Sequence, residues 1–337
     1  MRLEFSRSAA TASLTASLTA RLFYGMTLDA PEAANAAWLS TLAGLLLSLP
    51  LTWLLCGVRG AGRRVLAGAL FVGIALDAAA SVEWTAYSES CLAFDHVSPT
   101  LMALPLMLAV ARCAWLGGDA LGGAARVWMR LFAALIFVVI LYQLPYYNPL
   151  WLAPWLGSGA RAVLQSGRRA AGWNALICAS AVLACDDALR FRDVLPCLLL
   201  STAAAAALVA LRQMMAPVPT ASAVARSARI DALLTNGRAP LYLQLPMIVA
   251  WFVGMLHLMA FEALAACALI HRLLPKAGAP ACAAVGLGAV ALLVFAHIPR
   301  AALTQRALSC LYPALFIVGI PLRLTDGRSV KKCAGSL

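Results

Sequence analysis

Charge is what this sequence has least of. Asp, Glu, Lys and Arg make up 12% of the 337 residues, about half the share of an ordinary soluble domain. That is too little polar surface to coat a water-facing globule, which argues against a soluble helical fold. Histidine is rarer still, and no HExxH pair occurs. There is no GxxxxGK[ST] stretch and no GxSxG. Nothing in the pattern therefore points to zinc hydrolysis, phosphoryl transfer or a nucleophile elbow. The chain reads as a non-enzyme with no cofactor and no metal. CxxC pairs are also missing: most of the cysteines, among them Cys56, Cys113, Cys178, Cys185, Cys197, Cys267, Cys282 and Cys310, lie in apolar runs. Packed thiols fit that placement better than a disulfide framework. The opening residues lack a short apolar core followed by a cleavage site, so no removable signal peptide is expected.

What is present is apolar length. Hydrophobic types reach 63%, with a mean hydropathy of +0.86, and they come in runs long enough to span hydrocarbon. Counting by run length and punctuation predicts spans at 37–57, 65–90, 98–116, 126–144, 171–189, 194–215, 241–270, 281–298 and 303–322. A weaker first span covers 8–28; it is rich in Ser and Thr, contains Arg21 and has Gly25 near its end. The Trp- and Pro-rich stretch 148–164 suits an interfacial segment or a short re-entrant helix. The reading is one all-α polytopic membrane domain of about ten transmembrane helices. Its first half runs over about 8–144, an outer loop over 145–170, its second half over 171–322, and a polar basic tail over 323–337.

Charge placement supports an even number of spans. The net charge is +12, but Lys and Arg sit in short loops rather than along one stripe, which excludes a nucleic-acid footprint. With ten spans and the N-terminus in the cytoplasm, 16 of the 26 basic residues fall on the cytoplasmic side and 9 on the other, with Arg21 inside span 1. That is the positive-inside bias. Removing span 1 would invert most loops relative to the N-terminus, so both termini are expected in the cytoplasm.

The residues that could carry function are the polar ones inside spans. Many transporters bind substrate at the exposed ends of broken helices near the membrane centre. Span 1, with Arg21, Tyr24 and Gly25, fits such a break. The bland alternative is a marginal span whose arginine snorkels to an interface. Span 3 holds Asp77, Glu83 and Glu89; steps of six rotate about 240° beyond a full turn, so the three do not share a face. Glu83 is read as the deep acid, either functional or in a structural ion pair, and Glu89 as interfacial. In span 6, Trp173 and Asn174 would mirror span 1; Asn174 could equally bond to a neighbouring helix. In span 8, His257 and Glu262 stand about 140° apart, which disfavours one metal site. His257 is either a packing residue held by a hydrogen bond or a proton relay. Asp186-Asp187, beside Arg190 and Arg192, reads as solvated ion pairing, and His297 as interfacial.

Four stretches, in order, resemble the GerAB family of spore germination permeases. PEAANAAWLSTLAGLLLSL (31–49) resembles that family's passage into its second span. EWTAYSESCLAFDHVSP, Glu83 to Pro99, resembles its acidic third span and the Ser/Thr-Pro opening the fourth. YYNPLWLAPWLGSGARAVLQSG (146–167) resembles its Asn-x-Leu-x-Pro-x-x-Gly-x-Gly outer loop. IVAWFVGMLHLMAFEALAACALIHRLL (248–274) resembles its long eighth span. Gln244 and Leu245 stand where the family usually has an acidic residue, and apolar residues beside His257 replace a common Lys.

The resemblance implies a five-plus-five inverted repeat of the LeuT/amino-acid-permease type in the bacterial inner (spore) membrane. It implies a complex with a larger membrane subunit and a lipoprotein subunit. The implied role is sensing a small nutrient such as an amino acid and triggering germination. The ligand is expected between spans 1, 3, 6 and 8, near Arg21, Tyr24, Gly25, Glu83, Trp173, Asn174 and His257. A working secondary transporter for an amino acid or related organic cation, and a structural subunit that only anchors partners, are the alternatives.

Overall fold

The computed structural model describes residues 5–28, 36–60, 62–92, 97–153, 155–157, 159–185, 189–214, 241–296 and 310–324. Asp186-Asp187, the 216–240 stretch, His297 and the basic tail lie outside the described residues. So do the side chains of Tyr24 and Glu89.

The described residues form α-helices and short 3-10 turns, with no strand among them. In chain order the helices are α1 (Arg7–Leu28), α2 (Ala37–Cys56), α3 (Gly62–Leu92), α4 (Pro99–Leu116) and α5 (Gly118–Gln143). They continue with α6 (Ala160–Ala184), α7 (Phe191–Gln213), α8 (Leu241–Leu273), α9 (Ala279–Phe295) and α10 (Cys310–Leu324). Each overlaps one of the segments expected from apolar run length. Six of them, α2, α3, α4, α5, α7 and α8, are long and apolar enough to cross a membrane. Large apolar side chains such as Leu46, Leu108, Leu131 and Phe137 point outward. An exterior of this kind suits lipid rather than water.

The helix limits follow local chemistry. Ser98 caps α4 by accepting a 3.3 Å hydrogen bond from the Leu101 amide, with Pro99 in the first turn. Between α5 and α6 the chain makes two 3-10 turns, Leu144–Tyr146 and Pro149–Leu152. The Asn148 side chain caps the second turn, and its own amide donates to the Met214 carbonyl at 2.7 Å just beyond α7. The first part of the expected interfacial stretch is thus a turn-rich connection tied to the end of α7, while its last residues, from Ala160, already belong to α6, which begins well before the expected span at 171. Prolines inside α2, α4, α7 and α8 are placed as membrane helices tolerate them.

Close packing uses small residues. Gly44 of α2 and Gly167 of α6 face one another: a methyl at Gly44 would lie 2.8 Å from the Ala170 Cβ, and one at Gly167 would lie 3.1 Å from the Ser40 carbonyl oxygen. This is small-residue packing of the kind that lets membrane helices approach closely.

Successive contacts give the relative directions of the helices. From Ser6–Asp119 to Ala9–Gly122, α1 and α5 advance together. So do α1 and α7, through Arg7–Asp193, Thr11–Cys197 and Thr15–Ser201. The same holds for α2 with α6 (Ser40–Gly167, Gly44–Ala170) and α2 with α10 (Leu47–Tyr312, Leu54–Gly319). By contrast α3 opposes α8, from Gly68–Leu273 to Trp84–Trp251. Likewise α3 opposes α10 and α8 opposes α9. In every one of these pairs, odd-numbered helices run one way and even-numbered helices the other.

Several packing pairs exchange when the helix number shifts by five. α1–α7 corresponds to α6–α2, α1–α8 to α6–α3, α3–α4 to α8–α9, and α4–α8 to α9–α3. At the centre, α8 is buried along most of its length, as is the second half of α6.

Candidate functional site

α1 explains how a Ser/Thr-rich helix sits inside this bundle. Ser13, Ser17, Thr19 and Arg21 are all buried, so the polar face of α1 meets protein and not lipid. Its hydroxyls support the helix: Thr11 Oγ1 donates to the Arg7 carbonyl at 3.1 Å and Thr15 Oγ1 to the Thr11 carbonyl at 2.8 Å. Others reach α7, where Thr19 Oγ1 donates to Ser201 Oγ at 3.4 Å and Ser201 Oγ to the Thr15 carbonyl at 3.3 Å. At the start of the helix, Arg7 pairs with Asp193, and the Ser6 amide and hydroxyl donate to Asp119 Oδ1 at 3.0 and 2.7 Å. α1 is continuous from Arg7 to Leu28. The break expected near Gly25 is not there.

α6 is likewise continuous. Its Gly172 serves close approach to α10, since a methyl there would lie 3.0 Å from the Tyr312 amide nitrogen.

Arg21 projects from α1 into the junction of α1, α3, α6 and α8. It is 4% exposed, and Asp77 and Glu262 beside it are at 0%. Nη2 pairs with Asp77 Oδ1 of α3. Nη1 lies 3.4 Å from Glu262 Oε1 of α8 and 3.4 Å from Ser81 Oγ. The guanidinium carbon stands 4.3 Å from the centre of the Trp173 ring of α6, a cation–π geometry. Asp77 and Ser81 share one face of α3 because they are one turn apart. A charge in such a setting is held by pairing rather than by water.

The structure therefore brings Arg21 and Trp173 together and adds two acids that sequence reasoning had not placed at the site. Asp77, not Glu83, is the α3 carboxyl at the arginine; Glu83 is half-buried on another face of α3. The steps of six already set these two acids on different faces of the helix. Glu262 was considered only with His257, and a search for an acid to match Arg21 would have found it. His257 is buried, with Nε2 at 3.3 Å from the Ser13 carbonyl oxygen, two turns of α1 before Arg21. That contact ties α8 to α1. Asn174 is half-buried beside Trp173. Among the described residues, no three His, Cys, Asp or Glu side chains cluster as a metal site would need.

The charges do not balance within the triad: one guanidinium faces two carboxyls. Oδ2 of Asp77 and Oε2 of Glu262 have no hydrogen-bond partner among the described residues. The arrangement can hold and exchange charged groups.

No protein-family model matches this chain, and no curated protein is significantly similar to it.

Proposed function

We propose that this chain is a permease-type membrane subunit that binds a small zwitterionic nutrient, such as an amino acid, where α1, α3, α6 and α8 meet. In line with the GerAB-like stretches, its role would be that of a germinant-sensing subunit, working with a larger membrane subunit and a lipoprotein in the spore inner membrane. The observation that carries this reading is the placement of Arg21, buried at that junction between two carboxyls and an aromatic face.

The packing supports a five-plus-five inverted architecture. A shift by five turns an odd-numbered helix into an even-numbered one, and so reverses its direction while preserving several of its partners. Under that shift α1 corresponds to α6, and both fall short of the length-and-apolarity standard for spanning, with α1 buried over most of its described side chains and α6 over its second half. Helix segments shielded from lipid by the rest of the bundle need no apolar exterior, and they are where such folds place their ligand.

Arg21 suggests how a zwitterion binds. Its contact with Asp77 is the tight one, whereas those with Glu262 and Ser81 are long. A ligand carboxylate takes the Nη1 position as a charge-assisted acceptor. Glu262, displaced from the guanidinium, then receives the ligand ammonium. Exchanging one internal ion pair for two to the ligand changes how α8 is held against α1, and so shifts the population of bundle conformations.

The test is equilibrium binding of amino acids to the purified receptor complex containing this chain. Saturable binding that is lost in Arg21→Gln supports the reading. A complex that binds no amino acid or other nutrient removes the sensing role. The second reading, a secondary transporter, draws on the exchange of helix partners; ligand-dependent flux in proteoliposomes would establish it.

A further inference from the structure

From the charge count at the helix junction we infer that Asp77 and Glu262 together form a binding site for one exchangeable proton, distinct from the nutrient and needed to neutralise the triad. The inference stands apart from the ligand reading, because it requires only the three charges already in place.

Three observations carry it. Arg21 compensates one carboxylate, and the other is fully buried in the interior of a membrane bundle, where an uncompensated charge is costly. Among the described residues, Arg21 is the cation that pairs with Asp77 and with Glu262, one guanidinium for two carboxyls. Among the described residues, one oxygen of each carboxyl has no hydrogen-bond partner, which is the arrangement a shared proton completes.

The other cations of the bundle are placed elsewhere. Arg169 of α6 is half-buried one turn before Trp173. Arg112 of α4 and Arg126 and Arg130 of α5 are exposed, and α9 has no charged residue. His257 of α8 faces the Ser13 carbonyl of α1.

A proton suits the site better than an alkali ion. Sodium sites in such bundles draw on backbone carbonyls freed where a helix unwinds. Here α1 and α6 are continuous, and their carbonyls remain in the helical ladder. A route for exchange is present on α1. Ser13 and Ser17 lie two turns and one turn before Arg21 on one helical face, and their buried hydroxyls have no partner among the described residues. They form a hydroxyl line leading from the carboxyl pair toward the start of the helix.

The test uses the purified full chain in lipid nanodiscs without added ligand. Thermal unfolding is followed across the neutral pH range, in sodium buffer and in N-methylglucamine buffer. The wild-type melting temperature is expected to move with pH by about 2–4 °C or more and to be the same in both buffers. Glu262→Gln, an isostere of the protonated side chain, is expected to fold and to lose that pH dependence. Asp77→Asn is the second such variant, and His257→Asn is expected to keep the wild-type dependence. The proposal is overturned by a pH-independent wild type, or by a dependence that persists in both amide variants or vanishes in His257→Asn. A sodium-dependent melting temperature would replace the proton with an alkali ion. Failure of both amide variants to fold also overturns it, since a pair that holds a proton tolerates an amide in at least one position.

Discussion

Arg21 draws its neighbours into place by charge, and its removal should show how much of the bundle depends on that. Truncation to Ala leaves Asp77 and Glu262 buried side by side with no cation between them. Breaking a buried pair from one side costs about 3–5 kcal/mol, so Arg21→Ala should lower the melting temperature of the purified protein sharply. Arg21→Lys should recover only part of the loss. An ammonium restores the charge, but it cannot reach Asp77, Glu262 and Ser81 together with a planar fork or lie as flat on the Trp173 ring. A Lys variant as stable as wild type would show that charge alone, without the fork geometry, holds the junction.

The site was partly legible in the sequence. An arginine in a weakly apolar span, and a Trp-Asn pair in the corresponding span of the second half, pointed to Arg21 and Trp173. Depth in a span points to Glu83, whereas the pairing of Asp77 with Arg21 depends on which acid a neighbouring helix brings within reach. Partners on different helices are a tertiary fact. Only the i, i+4 spacing of Asp77 and Ser81 hinted at it.

At the scale of helices, apolar run length was a sufficient guide to position. α2, α4 and α7 begin and end close to the segments expected for them, because length and flanking Gly, Pro and Arg set the limits of a membrane helix. What run length did not reveal was continuity. Gly25 and the hydroxyls of α1 suggested an unwound segment. In the structure Thr11 and Thr15 donate back along the helix, and Gly25 is part of an unbroken α1.

Glycines here bring helices together instead of breaking them. Gly44→Leu or Gly167→Leu should push α2 from α6, where even a methyl at Gly167 meets the Ala43 Cβ at 2.9 Å. Overpacking of this kind costs about 1–3 kcal/mol, measurable as a lower melting temperature in detergent. Gly123→Leu, on a helix surface with open space around it, should have little effect. Equal loss at Gly123 and Gly167 would mean that the α2–α6 contact does not depend on its small residues.

At the scale of the whole molecule, α1 determines the architecture. Its composition alone would exclude it as a span, yet it runs parallel to α5 and α7, two of the helices apolar enough to cross. Parallel directions follow naturally if α1 crosses the membrane and each later helix returns in turn. The polar face of α1 is tolerated because it is buried in protein. The proposed ligand site, the carboxyl pair and the inverted halves all need this crossing, since only a traversing α1 carries Arg21 to the middle of the bundle.

Side-specific labelling of single cysteines in a cysteine-free background tests it most directly. Ser8, Arg59 and Leu150 are exposed residues at the start of α1, after α2 and after α5. A membrane-impermeant maleimide should reach Ser8→Cys and Arg59→Cys from one side of the membrane and Leu150→Cys from the other. If Ser8→Cys instead reacts from the side of Leu150→Cys, α1 does not cross, and the placement of Arg21 at a transmembrane junction is contradicted.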